Sequence, residues 1–164
     1  MKLADFERSA AETRGMFTDA CEYWLAEIDE VEQRFDSKEK IAAFLTSIEQ
    51  QSKGHVSVLI DHGPRKGWRR FLGAKRDVSP CFAAEWDSRY ASLIFLDDAW
   101  SEYRAIDVSH PVAPCEEVRR AVAHGELIPH PIAECMEKAR AFTLMQDFLI
   151  RGGRPEWLTY NFVT

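Results

Sequence analysis

The C-terminal third, Pro129 to Val163, constrains the fold more than any other stretch of the chain. It opens Pro129-His130-Pro131, runs from Ile132 to Ile150 without Gly or Pro, passes through Gly152-Gly153-Arg154-Pro155 and ends Trp157-Leu-Thr-Tyr-Asn-Phe-Val163. Pro131 suits a first helical position, and the helix-favouring residues after it predict one long helix. Gly152 or Gly153 can supply the left-handed residue that closes this helix, and Pro155 bars its resumption. Ala141 to Ile150 is apolar on nearly every side, which predicts burial against more than one neighbour at the centre of the core. Beyond Pro155, Leu158, Tyr160 and Phe162 alternate with Trp157, Thr159, Asn161 and Val163, the pattern of a closing strand.

Further upstream the pattern changes repeatedly. Leu3 to Thr13 reads as a short helix. Phe17, Cys21, Trp24, Ile28, Val31 and Phe35 follow at steps of four and three, a helical stripe, so residues 1–35 are expected to form a helical N-terminal extension. A strand within Glu27 to Phe35 is the competing reading. Asp36-Ser37-Lys-Glu39 offers a helix cap, and Ile41, Phe44, Leu45 and Ile48 recur on one helical face. His55 to Ile60 reads as a strand and Asp61 to Pro64 as a turn. Pro64 to Pro80 carries six bases among glycines and aromatics and reads as a long loop or exposed ribbon. Cys81 to Trp86, Ala91 to Leu96 and Ser101 to Ile106 read as a three-strand meander, and Pro114 to His124 as a short capped helix.

Helices and strands are segregated rather than strictly alternating. The expected fold is therefore α+β, a single mainly antiparallel sheet with helices packed on it. No linker divides the 164 residues, so one domain spanning 1–164 is expected.

The four cysteines, Cys21, Cys81, Cys115 and Cys135, are far apart and read as thiols of a reducing compartment. The sequence lacks a membrane-length apolar run, and Met1 to Glu7 lacks the apolar middle of a secretory signal. A cytoplasmic protein without a membrane partner is expected. The net charge of −6 opposes non-specific binding to nucleic acid and favours a basic partner.

Motifs for chemistry are weak. Cys115, His124, His130 and Cys135 have zinc-ligand chemistry but no recognised spacing. In Asp107-Val-Ser109-His110 the neighbouring side chains of a strand point to opposite faces. The expectation is a protein with no catalytic residues, metal or cofactor. A small hydrolase using the His and Cys residues is one alternative. Another is a nucleic-acid module using Arg65, Lys66, Arg69, Arg70, Lys75 and Arg76 with Trp68 and Phe71. Between Thr18 and Gln33 there are six acids and no Lys or Arg, with Tyr23 and Trp24 among them. Acids speed encounter with a cationic partner and aromatics anchor the contact. The first candidate contact set is Glu22, Tyr23, Trp24, Asp29 and Glu30, and the second is Asp97, Asp98 and Trp100.

Three segments, Ile128-Pro-His-Pro-Ile-Ala-Glu-Cys135, Phe148-Leu-Ile-Arg-Gly-Gly-Arg-Pro155 and the strand beginning Glu156-Trp157, resemble the C-terminus of immunity protein family one of bacterial polymorphic toxin systems. Asp36 to Ile41, Val56 to Leu59 and the hairpin Ala91 to Ile106 are similar to that family more loosely. The resemblance implies a small α+β protein that binds a cognate toxin, often of the nucleic-acid deaminase class, and occludes it in a tight heterodimer. No catalytic residue carries over.

Overall fold

A computed structural model describes residues 22–28, 30–64, 76–108, 118–121, 127–130 and 134–163, with backbone alone for 118–121 and 127–130. The expected helix over Leu3 to Thr13 and the bases Arg65 to Lys75 lie outside these residues. The helical reading of Phe17 to Phe35 is overturned where it can be seen. Tyr23–Ile28 (β1) and Val31–Phe35 (β2) form an antiparallel hairpin in which Ile28 pairs with Val31 and Trp24 with Phe35. A strand buries alternate residues, and Trp24, Ala26 and Ile28 all enter the core.

Lys38–Ile48 (α1) follows, with the Ser37 hydroxyl accepting from the Lys40 N–H at 3.3 Å. Ile41, Leu45 and Ile48 are buried and Phe44 partly so, as the spacing predicts. Gly54–Pro64 (β3) and Arg76–Trp86 (β4) are longer than expected. The presumed turn at Asp61 to Pro64 belongs to β3, whose register with β4 shifts between Asp61 and Pro64. Gly63 takes a φ of 94° there, and buried Asp61 accepts from the Gly63 N–H at 2.9 Å and the Arg76 Nε–H at 2.5 Å. A buried carboxylate needs such donors, so Arg76 holds this irregular stretch. Gly54 is required for close approach, because a Cβ there would meet the Trp86 ring at 2.5 Å.

Tyr90–Leu96 (β5) and Glu102–Ile106 (β6) complete the expected meander. Val118–Ala121 (β7) pairs with Leu127–His130 (β8) in a separate ribbon against β4. This replaces the expected helix at 118–121, since cross-strand pairing satisfies the backbone there instead. Met136–Glu137 (β9) pairs with Tyr90 and Ala91, and Lys138–Arg151 (α2) begins only after it. The C-terminal helix therefore has 14 residues and is shorter than Ile132 to Ile150. Met136 and Glu137 leave the expected helix because tertiary pairing to β5 outweighs their helical propensity. Gly152, at φ 77°, closes it as expected, its N–H reaching the Phe148 carbonyl at 2.8 Å.

Thr159–Val163 (β10) is the expected closing strand, and the main sheet runs β10-β6-β5-β4-β3-β1-β2 with β9 attached to β5. All its pairings are antiparallel. Both helices pack on one face. There Phe148 of α2 sits edge-on to Phe82 (5.4 Å) and stacked on Phe95 (5.5 Å), while Phe142 meets Trp86 at 5.2 Å. Such pairs contribute about 0.5–1.5 kcal/mol each beyond burial. The helix is buried against sheet and α1 but not all round, since Ile150 is 77% exposed.

Candidate protein-binding surface

The hairpin turn between β5 and β6 is built by Asp97. Its carboxylate accepts from the N–H groups of Ala99 and Ser101, each at 2.9 Å, and from the Tyr103 hydroxyl at 3.2 Å. Its own carbonyl accepts the Trp100 N–H at 2.9 Å. These donors, the Ser101 N–H foremost, hold the Asp97 carboxyl below the usual carboxylate range. Asp97 is thus a turn-former, and the surface charge of the turn comes from exposed Asp98.

Trp100 takes a φ of 64° and is 53% exposed. A bulky residue in the left-handed region costs about 1–2 kcal/mol, so the Asp97 network must hold it there. The result is a large aromatic on a fixed backbone, facing water. Register places the end of β10 at the same end of the sheet, because Phe162 pairs with Tyr103 and Val163 with Glu102. Phe162 is 59% exposed and lies edge-on to Tyr103 at 5.5 Å, while Arg154 sits 3.8 Å over the other ring of that pair, Tyr103. Burial pushes the neighbouring Tyr160 phenol up to about 12, and its hydroxyl donates to the Pro155 carbonyl at 2.6 Å.

The first candidate set does not form one surface. Tyr23 and Trp24 are only 4% and 8% exposed, so the aromatics expected to anchor a partner are structural. Glu30 is exposed in the β1–β2 turn with a φ of 67°, at the end of β1 opposite Glu22, and Asp29 lies outside the described residues. Six strand residues separate those ends by about 20 Å at ~3.4 Å per residue. Glu22 shares its end of the sheet with the β5–β6 turn, but β1 and β5 are three strand steps apart, about 14 Å at ~4.8 Å each. Asp97, Asp98 and Trp100 alone stay together. Phe162 and Arg154 are the additions that sequence reasoning missed. The alternation of β10 was visible, but not that its last residues outrun the helical cover.

Glu22 has a different set of contacts. Its Oε1 is 2.5 Å from His62 Nδ1, and His62 Nε2 is 2.9 Å from the Ser79 hydroxyl. This is the order of a serine, histidine and carboxylate relay. The residue after Ser79 is Pro80, which has no N–H to offer an oxyanion, and Ser79 lies within β4, paired with Ile60 of β3 between two register shifts. The three side chains join the starts and ends of β1, β3 and β4.

Other expected chemistry is dispersed. Asp107 is buried and accepts from Arg140 Nε–H at 2.8 Å, while Ser109 and His110 lie outside the described residues. Arg140 also covers the Trp157 ring at 4.7 Å and borders a cavity of about 290 Å³ with Met136, Glu137, Ala139 and Thr143. Cys81 and Cys135 are buried thiols outside any disulfide, and burial, then the Asp98 charge, pushes the Cys81 thiol up to about 12. Such a thiol is a poor nucleophile and metal ligand. Cys115 and His124 lie outside the described residues, and among those described no three His, Cys, Asp or Glu side chains converge as metal ligands. Nor is any described helix long and apolar enough to cross a membrane. No family model matches the sequence, and comparison with curated proteins gives no significant match.

Proposed function

We propose that this protein is an immunity protein that captures a cognate bacterial toxin domain with a cationic surface, in a tight heterodimer. The likeness of its C-terminal segments to immunity protein family one supports this reading, and a deaminase-type toxin is the class that likeness favours. The observation that carries it is Trp100, exposed on a constrained turn beside Asp98 and on the same sheet end as Phe162. A fixed backbone lowers the ordering cost of association, and a desolvated Trp is the commonest kind of interface anchor. Asp98 supplies attraction to a basic partner during encounter. The net charge of −6 acts in the same direction over longer range.

The test uses the full chain and whatever toxin domain the neighbouring reading frame proves to encode, titrated calorimetrically. Trp100→Ala is expected to weaken binding by roughly 30-fold or more, the equivalent of about 2 kcal/mol. Unchanged affinity in both Trp100→Ala and Asp98→Lys would reject the surface.

The Glu22, His62 and Ser79 contacts favour a second reading, an acyl-transfer hydrolase with Ser79 as nucleophile. Labelling of Ser79 by a fluorophosphonate, abolished in His62→Ala, would support it. Absence of the label leaves the three residues as a clasp between strands.

A further inference from the structure

We propose that a second copy of this chain pairs along the outer edge of β2, antiparallel and two-fold symmetric about Gln33. Among the described residues, β1 is the one strand hydrogen-bonded to β2, which ends the main sheet. An edge strand presents a row of N–H and C=O groups that another strand can take up.

The sequence of β2, Val31-Glu32-Gln33-Arg34-Phe35, is complementary to itself when reversed. Residues 29 and 30 connect β1 to β2, and a two-residue connection closes on a hydrogen-bonded pair, here Ile28 and Val31. Val31, Gln33 and Phe35 then bond to β1, while Glu32 and Arg34 turn their backbone groups to the open edge. A second β2 must offer its own outward residues, so the two-fold axis falls at Glu32, Gln33 or Arg34. Centring on Glu32 sets that carboxylate against its own copy. Centring on Arg34 does the same for the guanidinium and opposes Glu32 to Asp36. Centring on Gln33 instead sets Glu32 against Arg34 of the second copy, twice, and brings Glu30 toward Asp36 only beyond both ends of β2, where the chain turns away.

The contacts within one chain favour that register. Across β1, Glu32 faces Glu27, both exposed, and like charges directly opposite destabilise a sheet. Arg34 faces buried Leu25, which offers no counter-charge. Among the described residues, Glu32 and Arg34 pair with each other along the strand, at 3.2 Å. A second copy gives each an opposite charge directly across. On the helix side it also lays Val31 over Phe35, which with Phe44 forms a partly buried ring pair 5.0 Å apart at the rim of the core. This edge lies on the far side of the sheet from β10, so pairing here and toxin capture at the β5–β6 turn are independent.

Sedimentation equilibrium of the full chain at fixed salt tests the pairing. Wild type is expected to show a reversible dimer, Glu32→Arg and Arg34→Glu each to raise its dissociation constant by roughly tenfold, and the double charge swap to restore it. Gln33→Cys places two thiols at a non-hydrogen-bonded pair, with Cα atoms about 4.5 Å apart, within disulfide range. Oxidation should therefore link that variant through residue 33 more than wild type. A wild type that stays monomeric, a double swap as weak as either single change, or a folded Gln33→Cys protein that does not cross-link would each overturn the proposal.

Discussion

The β1–β2 hairpin and the β5–β6 turn both carry a tryptophan among carboxylates, yet they use it in opposite ways. In the hairpin, Trp24 lies on the face covered by α1 and α2 and becomes core, and the acids around it are left on the rim. In the turn, Trp100 falls past the last paired residues, beyond the cover of α1 and α2, and the Asp97 hydrogen bonds fix it in water. Acid and aromatic composition is therefore shared by a structural element and a candidate contact surface. Position relative to the helical cover separates them.

The sharpest way to break this contrast is to truncate both tryptophans. Trp24→Ala should lower stability by about 3–5 kcal/mol, as for other large core truncations, and will show as a large fall in Tm. If Trp24→Ala left Tm unchanged, its burial would carry no weight. Trp100→Ala should leave Tm near wild type while weakening toxin binding as described above. Trp100→Gly removes the left-handed strain and should raise stability by about 1 kcal/mol, measured by chemical denaturation. A fall in stability would mean that the ring, not the turn, is what packs.

The smallest effect is pH-dependent and belongs to Asp97. Its folded-state carboxyl titrates below the ordinary value of 3.8, so its stabilisation is full above that value and is lost as pH falls through the lower folded value. Asp97→Asn should therefore flatten the acid limb of Tm against pH below about 4. Parallel limbs for the two proteins would count against the turn-forming role.

Much of the architecture was legible because local and tertiary signals agreed. The Ser37 cap, the α1 stripe, the β5–β6 meander, the Gly152 stop and the β10 alternation are each fixed by residues within one turn or strand. The hairpin was legible only as the competing strand within Glu27 to Phe35, which β2 bears out, and the helical reading prevailed for a definable reason. Trp24, Ile28, Val31 and Phe35 stand at steps of four, three and four, as on a helix. They are also alternate positions of two strands whose parity is reversed by a two-residue turn, with Ala26 and Gln33 too small or too polar to reveal the period. The start of α2 was hidden similarly, because pairing of Met136 with Ala91 is a distant contact. For the candidate surface, Asp97, Asp98 and Trp100 were readable as a turn, whereas the contribution of Phe162 depends on cross-strand register.

Hydrogen exchange on a complex with the toxin domain that the proposed function requires tests the central claim most directly. Slowed exchange is predicted across 97–103 and 159–163, with 30–35 unaffected by the toxin. Protection confined to the β1–β2 hairpin, with the β5–β6 turn exchanging as in the isolated protein, would contradict it.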